Sequence, residues 1–447
     1  MKHILILGAG LVARPMVRYL LETTEHHVTV ASRTVAKAEA MIDGHPRGRA
    51  VAALADDVAG MDPLIQEADL VVSLVPYIYH VAVAKLCLKH NKHLVTTSYV
   101  SPAMKELDAE AQAKGLLFLN EIGLDPGIDH MSAMRIIHHV QKDGGKIVSF
   151  KSYCGGLPAP EANDNPFGFK MSWSPRGVAM AGRNEARFKA GNQELTIPGP
   201  ELFSHAQPFE VPGVGPFDSY PNRNSLPYID IYGVPDVHHM VRGTLRNPGW
   251  CVAWQAIADI GYLRDDALPT AGMTFKALTA NLIGSAGADL RAEVPAVCKL
   301  GADAETLDRL EWLGLFSDTV IPASATTMLD ALCVPLTDKL AYKPGERDMI
   351  VLFTELVAEY PDGTEQLITS TFVDHGQPNG DSSMARTVSL PAAIAVKLIL
   401  NGSMPVTGVK IPIEPGIYEP VLDELAEMGL ACTDVYGERK PMGVAAR

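Results

Sequence analysis

The first thirteen residues restrict the fold of this chain more than any other segment. An apolar run, His3–Leu7, leads directly into Gly8-Ala9-Gly10-Leu11-Val12-Ala13, which has the form G-x-G-x-x-A. Gly8 permits a tight turn, Gly10 lets the backbone approach a phosphate group, and Ala13 keeps the next helix close to the sheet. The N-terminus of that helix would offer unpaired N–H groups to the phosphate. The segment therefore predicts a dinucleotide site at the start of a Rossmann domain.

Strand and helix patterns alternate through residues 1–120. Apolar runs typical of strands are His3–Leu7, His27–Ala31, Arg49–Ala53, Leu70–Leu74, His93–Thr96 and Leu116–Leu119. Amphipathic stretches typical of helices are Leu11–Leu21, Val35–Met41, Tyr79–His90 and Pro102–Lys114. Because strands that alternate with helices pair in parallel through right-handed crossovers, this pattern predicts an α/β domain with a doubly wound parallel sheet.

The end of the second predicted strand indicates which dinucleotide binds. NAD-binding domains have an acidic residue there for the ribose, whereas this chain has Ser32-Arg33-Thr34, with Lys37 one turn later. A carboxylate would repel the 2′-phosphate of NADP, but Arg33 can pair with it, and Ser32 and Thr34 can donate hydrogen bonds. Alternatively, Ser32 or Thr34 only caps a helix and Arg33 lies in solvent. Capping and phosphate binding are compatible, so we predict NADP as the cofactor.

The pattern changes after Gly145. A strand is predicted at Ile147–Tyr153, followed by a loop-rich stretch dense in Gly, Pro and Asn up to about Asn224. Helical periods without intervening strands then occur at Trp250–Leu263, Phe275–Ile283, Ala304–Leu313 and Thr326–Leu340. Met349–Leu356 and Gln366–Val373 flank a turn sequence and alternate as antiparallel strands do, and a last helix is predicted at Ser383–Leu400.

Charge and cysteine content exclude several classes of partner. The net charge of −14 argues against nucleic acid or an anionic membrane as partner. Uninterrupted apolar stretches such as Ala392–Val396 are far shorter than the roughly 20 residues of a membrane-spanning helix. The six cysteines contain no Cys-x-x-Cys pair, which favours thiols in a reducing, cytoplasmic compartment, and no histidine pair has metal-ligand spacing. We therefore predict no metal.

Polar residues follow three of the predicted strands. They lie in Ser73-Leu74-Val75-Pro76, in Thr96-Thr97-Ser98-Tyr99 and in the segment 120–127. Because ligands bind outside the carboxyl ends of parallel strands, we expect Tyr99 and Asp125 to face the same crevice as the nicotinamide. Asp-Pro-Gly is also a turn sequence, and Tyr99 could be a packed aromatic residue, so neither residue alone identifies a function.

Longer motifs carry a specific resemblance. They include Thr97-Ser98-Tyr99-Val100-Ser101-Pro102, the segments 120–130 and 152–161, Ser172-Trp173-Ser174, Pro221-Asn222-Arg223, Arg242-Gly243-Thr244-Leu245-Arg246, the segment 312–318 and Ser382-Ser383-Met384-Ala385. On these motifs the chain resembles, over essentially its whole length, the glutamate-forming saccharopine dehydrogenases, or saccharopine reductases. It departs from the acidic residue often found just after the third strand, since Leu54 precedes Asp56 and Asp57 here.

This resemblance implies a reaction and a set of contacts. Glutamate and 2-aminoadipate 6-semialdehyde would form an imine, which NADPH reduces to saccharopine in lysine metabolism. Either direction, synthesis or breakdown of lysine, is compatible with the sequence. The implied substrate contacts are Ser98, Tyr99, Asp125, Arg223, Gly243, Thr244 and Leu245. Further implied cofactor contacts are Leu11, Val12, Val75, Thr97, Leu124 and Ser174. The family also implies a homodimer.

The chemistry itself requires anion-binding and proton-exchanging groups. Saccharopine carries three carboxylates, and Arg223, Arg242 and Arg246 are candidate anchors because a guanidinium can bind a carboxylate with two parallel hydrogen bonds. Tyr99, Asp125 and Cys154 could orient or exchange protons during imine formation and reduction. Cys154 is predicted after a strand, near a loop. It could equally be a buried small hydrophobic residue.

We therefore expect three parts. The Rossmann domain comprises residues 1–125 and, by the resemblance, a C-terminal return at about 383–447. A mixed α/β substrate domain comprises 126–250 and 346–382, and a helical insertion comprises 251–345. Two other functions remain open: a related imine-reducing dehydrogenase such as carboxynorspermidine synthase, which the segment 153–161 and Arg242–Arg246 disfavour, and a non-catalytic NADP-binding sensor.

Overall fold

We used a computed structural model that describes residues 1–269 and 272–442. The described chain divides into two compact units: Met1–Asp143 with Gly380–Thr433, and Gly144–Asn379 with the C-terminal residues from Asp434. The first boundary lies after Asp143 and not at residue 125, because the helix Ile128–Lys142 packs on the helix Pro415–Glu427 within the first unit. The helical segment 251–345 belongs to the second unit.

Within the described residues, the first unit contains a sheet of seven parallel strands. Their order across the sheet is Gly408–Lys410, Leu117–Leu119, His93–Val95, Leu70–Ser73, His3–Leu7, His27–Ser32 and Gly48–Ala52. The chain order reverses between His3–Leu7 and Leu70–Ser73, so a topological switch point lies between these two strands. The predicted doubly wound α/β fold is confirmed. The strand Gly408–Lys410 was not predicted, since its three residues lie in a proline-rich tail.

Helices alternate with the strands along the chain of the first unit. Their bounds are Arg14–Thr23, Val35–Ile42, Val58–Glu67, His80–His90, Pro102–Lys105, Asp108–Ala113, Ile128–Lys142, Ser383–Leu400 and Pro415–Glu427. Val58–Glu67 and Pro415–Glu427 were missed because each contains an internal proline, Pro63 and Pro420. Ser383–Leu400 is long and apolar enough to cross a membrane, but 72% of it is buried inside the protein, as in a core helix.

A mixed sheet forms the centre of the second unit. Among the described residues its main path has the order Gln207–Val211, Gly215–Pro221, His239–Arg246, Lys146–Pro158, Asp348–Glu359, Thr364–His375 and Thr433–Tyr436. His239–Arg246 and Lys146–Pro158 pair in parallel. Asp348–Glu359 and Thr364–His375 pair antiparallel, which confirms the predicted hairpin.

Two predictions for this unit were incomplete. The stretch up to Asn224 is not only loop, since it contains Ala186–Ala190, Gln193–Ile197, Gln207–Val211 and Gly215–Pro221. Gln193–Ile197 and Gln207–Val211 are largely exposed, so they lack the regular alternation of apolar residues that marks a strand in a sequence. Ala186–Ala190 does alternate, but it is only five residues long. The predicted strand Ile147–Tyr153 extends to Pro158, because Asp348–Glu359 pairs along its full length.

The helical part of the second unit has its own core. Its helices are Pro175–Ala181, Pro227–Ile231, Trp250–Ile260, Phe275–Ile283, Leu290–Glu293, Ala304–Leu313 and Met328–Lys339. Trp250 and Trp254 are at most 1% exposed and stack with ring centroids 4.8 Å apart. Tyr220, in the strand Gly215–Pro221, stacks on Trp250 with ring centroids 6.1 Å apart, so an aromatic contact joins this core to the mixed sheet.

Candidate functional site

The glycine-rich turn has the geometry that phosphate binding requires. Gly8 has φ +113°, and a Cβ there would lie 3.0 Å from the carbonyl oxygen of Leu74. A Cβ on Gly10 would meet no atom within 4 Å, so the backbone borders open space. Ala13 is buried and precedes the helix Arg14–Thr23, whose first turn has no side-chain cap. The turn can therefore present backbone N–H groups to a ligand phosphate.

A cavity of about 490 Å³ opens beside this turn. It is lined by Gly8, Ala9, Gly10, Ala31, Ser32, Arg33, Thr34, Lys37, Ala53, Leu54, Ala55, Asp56, Leu74, Val75, Pro76 and Tyr79. Arg33 and Lys37 bring two cations to the cavity, as a 2′-phosphate requires. The oxygen of Ser32 accepts a hydrogen bond from the N–H of Thr34 at 3.2 Å, whereas Thr34 makes no side-chain cap bond. These residues fit NADP.

The remaining predicted cofactor residues lie outside the cavity lining. Leu11 is 68% exposed, and Val12 is half-buried in the same turn. Thr97 packs against Gly123, Leu124 is buried, and Ser174 lies in the second unit. There the oxygen of Ser174 accepts a hydrogen bond from the N–H of Gly177, so it caps the helix Pro175–Ala181. Leu54, Asp56 and Tyr79 line the cavity but were not among the predicted contacts. Only Asp56 could have been suspected, from its place after the third strand.

Tyr99 and Asp125 are in direct contact in the first unit. The Tyr99 hydroxyl donates a hydrogen bond to Asp125 Oδ1 at 2.9 Å. Asp125 precedes a cis peptide bond to Pro126, and the next residue, Gly127, has φ +151°. A Cβ on Gly127 would lie 2.0 Å from the carbonyl oxygen of Gly123, so this turn requires glycine. The Asp-Pro-Gly turn chemistry therefore serves to hold the Asp125 carboxylate against Tyr99.

Buried polar side chains hold this turn in place. Glu121 has φ +57°, and its carboxylate accepts hydrogen bonds from the N–H of Val100 and pairs with His130 Nε2, both at 2.9 Å. Asp129 accepts a hydrogen bond from the N–H of Gly127 at 2.6 Å. Glu121, Asp129 and His130 are each at most 5% exposed. They link the segment that carries Tyr99 to the turn that carries Asp125.

A second buried histidine contacts a predicted substrate residue. His80 Nε2 lies 2.8 Å from the Ser98 hydroxyl, and His80 Nδ1 lies 2.8 Å from the Ser73 hydroxyl. His80 was not predicted, because a histidine at the start of a helix shows no distinguishing pattern. Its place between two strand ends follows only from the sheet order.

Four predicted residues of the second unit lie on its central strands: Cys154, Gly243, Thr244 and Leu245. Cys154 is half-buried inside Lys146–Pro158, between Thr244 and Leu352 on the neighbouring strands, and not near a loop as predicted. Gly243 lies where a Cβ would come within 2.5 Å of the Tyr153 ring, so only glycine fits. Leu245 is fully buried in a core cluster, and any ligand contact there must come from its backbone.

The three candidate arginines differ in their surroundings. Arg223 is exposed, with φ +55°, and its carbonyl accepts a hydrogen bond from the N–H of Arg187 at 2.8 Å. Arg242 is 6% exposed and its guanidinium stacks 4.4 Å from the Tyr228 ring. Arg246 is equally buried and lies 4.9 Å from the Trp250 ring. The two buried arginines therefore have packing roles, and Arg223 is the better candidate for a ligand carboxylate.

Comparison with protein families gives a match over almost all of the chain. Residues 4–119 match the saccharopine dehydrogenase NADP binding domain, and residues 123–430 match the saccharopine dehydrogenase C-terminal domain. The first match contains the glycine-rich turn and the cavity beside it.

Individual proteins give the same result. The chain is 41% identical over 442 residues to a Schizosaccharomyces pombe protein named saccharopine dehydrogenase [NADP(+), L-glutamate-forming], with 96% of this chain and 98% of that one covered. It is 37% identical to bovine mitochondrial alpha-aminoadipic semialdehyde synthase, of which it covers 47%. The apo structure of the Saccharomyces cerevisiae L-Glu-forming saccharopine dehydrogenase matches with TM-score 0.88 and 38% identity, over 98% of this chain and 100% of that one. The chain belongs to the saccharopine dehydrogenase family.

Proposed function

We propose that this chain is an NADP(+)-dependent, L-glutamate-forming saccharopine dehydrogenase, an oxidoreductase that acts on a carbon–nitrogen bond. One observation carries the proposal: two fungal relatives that are named for this activity align over 95% or more of both chains at 40% identity or more. The lining of the NADP cavity supports the cofactor, since Arg33 and Lys37 both face it.

The proposed reaction is reversible. In one direction, saccharopine, NADP(+) and water give glutamate, 2-aminoadipate 6-semialdehyde, NADPH and a proton. The cofactor, when bound, accepts the hydride in this direction and supplies it in the other. Oxidation converts the secondary amine to an imine, and water then adds to the imine carbon before the carbon–nitrogen bond breaks. Each of these steps moves a proton to or from the substrate nitrogen or the added water.

The Tyr99–Asp125 pair is suited to hold those protons. Because the phenol donates to the carboxylate at 2.9 Å, the two groups can share one proton and exchange it with a nitrogen or oxygen nearby. Cys154 stays a candidate for the same task. Arg223, with Gly243, Thr244 and the backbone of Leu245, is proposed to bind substrate carboxylate and orient the imine. Such positioning can supply much of the rate acceleration.

Two further properties are part of the proposal. A cytoplasmic location is supported by the six cysteines, none of which forms a disulfide within the described residues. A homodimer is the assembly that the family resemblance implies, and light scattering on the purified protein would measure it.

The test is a panel of substrates, with turnover measured from the absorbance of NADPH. Purified protein with NADPH, glutamate and the semialdehyde should consume NADPH, and NADP(+) with saccharopine should produce it. Replacement of glutamate by diamines tests a related imine-reducing dehydrogenase such as carboxynorspermidine synthase. NADPH binding without turnover of any substrate would instead indicate a sensor, and either of these two results would contradict the proposal.

A further inference from the structure

Three polar side chains contact one another in series along the carboxyl edge of the sheet in the first unit. Ser73 ends the strand Leu70–Ser73, His80 begins the helix His80–His90, and Ser98 follows the strand His93–Val95. We call these residues the Ser73–His80–Ser98 series. Ser73 is 0% exposed and His80 is 5% exposed, whereas Ser98 is half-buried and precedes Tyr99. The series therefore runs from a buried serine to a half-buried serine that is next to Tyr99 in the sequence.

The distances join all three side chains. Ser73 Oγ and His80 Nδ1 are 2.8 Å apart, and His80 Nε2 and Ser98 Oγ are also 2.8 Å apart. Thr96, which is buried, has its hydroxyl 3.3 Å from His80 Nε2. Both imidazole nitrogens of His80 thus face hydroxyl oxygens, and its Nε2 faces two of them.

The charge state of His80 limits how these bonds can be arranged. Burial lowers the pKa of His80 to about 4, so the ring is neutral near pH 7. A neutral imidazole donates through one nitrogen and accepts through the other. If Nε2 donates to Ser98, then Nδ1 accepts from Ser73, and the Ser98 hydroxyl keeps its hydrogen for another acceptor. In the reverse arrangement the Ser98 hydroxyl would donate its hydrogen to His80 Nε2 and could not donate it to a ligand.

The substrate decides between the two arrangements. Saccharopine carries carboxylates, which only accept hydrogen bonds. Hydrogen bonds that all run in one direction strengthen one another, and Ser73, His80, Ser98 and a carboxylate would form such a series. We propose that His80 is a positioning residue, which holds Ser98 as a hydrogen-bond donor to a carboxylate of the substrate. This inference rests on the proposed function.

Two substitutions at His80 separate positioning from structure. The amide nitrogen of glutamine can occupy the place of Nε2, so His80→Gln retains a donor to Ser98. The amide of asparagine reaches only the place of Nδ1, so His80→Asn retains the contact with Ser73 and loses Ser98. We expect His80→Asn to raise the KM for saccharopine about tenfold, with the KM for NADP(+) within about twofold of wild type. His80→Gln should restore most of the saccharopine KM.

His93→Gln is the matched control. His93 is a second, partly buried histidine of the same sheet, whose Nδ1 accepts a hydrogen bond from the N–H of Leu117 at 3.0 Å. The His93→Gln variant should have a lower melting temperature than wild type and an unchanged KM for saccharopine. In a Ser98→Ala background, His80→Asn should add no more than about twofold, because the group that it orients is gone.

Each outcome bears on a different statement. Wild-type protein that does not oxidise saccharopine overturns the proposed function, and the inference with it. Wild-type protein that does so, beside folded His80→Asn with an unchanged KM, overturns only the inference. An equal rise in the saccharopine KM for His80→Asn and His80→Gln would also overturn only the inference. Should His80→Asn not fold, Ser73→Ala tests the same series, since loss of the donor to Nδ1 should raise the saccharopine KM by a few-fold.

Discussion

The Tyr99 hydroxyl donates a hydrogen bond to Asp125 Oδ1 at 2.9 Å, although 25 residues separate the two in the chain. Two features make the contact possible. The strands that precede Tyr99 and Asp125, His93–Val95 and Leu117–Leu119, are parallel neighbours. The Glu121–His130 pair then joins the two segments that follow them. The pair is therefore a product of sheet order and of buried polar contacts beneath it.

Removal of the Tyr99 hydroxyl tests the proton-exchange role. A hydrogen bond to a carboxylate is worth about 1.5–3 kcal/mol, so Tyr99→Phe should lower kcat/KM for saccharopine about tenfold to a hundredfold. The melting temperature should change little, because the ring is retained. Tyr77→Phe is the control, since Tyr77 is 74% exposed. Steady-state rates with Tyr99→Phe equal to wild type would show that the hydroxyl has no catalytic part.

Arg33 should select NADP over NAD. Loss of its ion pair with the 2′-phosphate predicts that Arg33→Ala raises the KM for NADPH about tenfold to a hundredfold and leaves the KM for NADH nearly unchanged. Arg49→Ala is the control, because Arg49 is an exposed arginine of the same unit that pairs with Glu67. Equal effects on both cofactors would assign Arg33 a structural role, and wild-type preference for NADH would contradict the cofactor assignment.

Arg223 should bind a carboxylate of saccharopine. Its side chain is exposed to solvent, so the protein should tolerate Arg223→Met with little change in melting temperature. Saccharopine affinity should fall about tenfold to a hundredfold, and Arg223→Lys should recover only part of it, because an ammonium lacks the two-pronged geometry. Calorimetric titration with saccharopine measures the affinity of both variants, and Arg291→Met, at a partly exposed arginine of the helical segment, is the control. Wild-type affinity in Arg223→Met would falsify the assignment.

The buried pair Glu121–His130 should be important for stability. Glu121→Ala leaves the N–H of Val100 and His130 Nε2 without the carboxylate, and it places alanine at φ +57°. We expect the free energy of unfolding to fall by about 3–5 kcal/mol in urea titrations. Glu110→Ala removes an exposed ion pair with Lys114 and should cost less than about 1 kcal/mol. Similar urea midpoints for Glu121→Ala and Glu110→Ala would argue against a stabilising role of the Glu121–His130 pair.

His80 should make stability depend on pH. Burial lowers its pKa in the folded state to about 4, from an ordinary value near 6.5. Between these two pKa values the imidazole is protonated in the unfolded chain but not in the folded protein. The free energy of unfolding is therefore highest above about pH 6.5 and falls as the pH decreases toward 4. The free energy of unfolding should fall by about 2 kcal/mol between pH 7 and pH 5. Urea unfolding of wild type should show this slope, and His80→Gln should show a smaller one. Parallel slopes would contradict the assigned cause.

Local patterns predicted the first unit well. The G-x-G-x-x-A turn, the apolar strands and Ser32-Arg33-Thr34 depend on neighbouring residues, because a strand-turn-helix unit is formed by adjacent segments of the chain. The family motifs around Tyr99 and Cys154 predicted the saccharopine dehydrogenase family in the same way. Each of these features can be found from residues a few positions apart.

Only the tertiary structure decided the contacts that join distant segments. The strand containing Cys154 extends to Pro158 because Asp348–Glu359 pairs with it, and no local pattern contains that pairing. His80 reaches Ser98 because the strands Leu70–Ser73 and His93–Val95 are neighbours in the sheet. Arg242 and Arg246 looked like Arg223 in the sequence, yet aromatic rings from other elements bury the first two. A sequence specifies the charge of an arginine, but its surroundings are set by residues that folding brings from elsewhere in the chain.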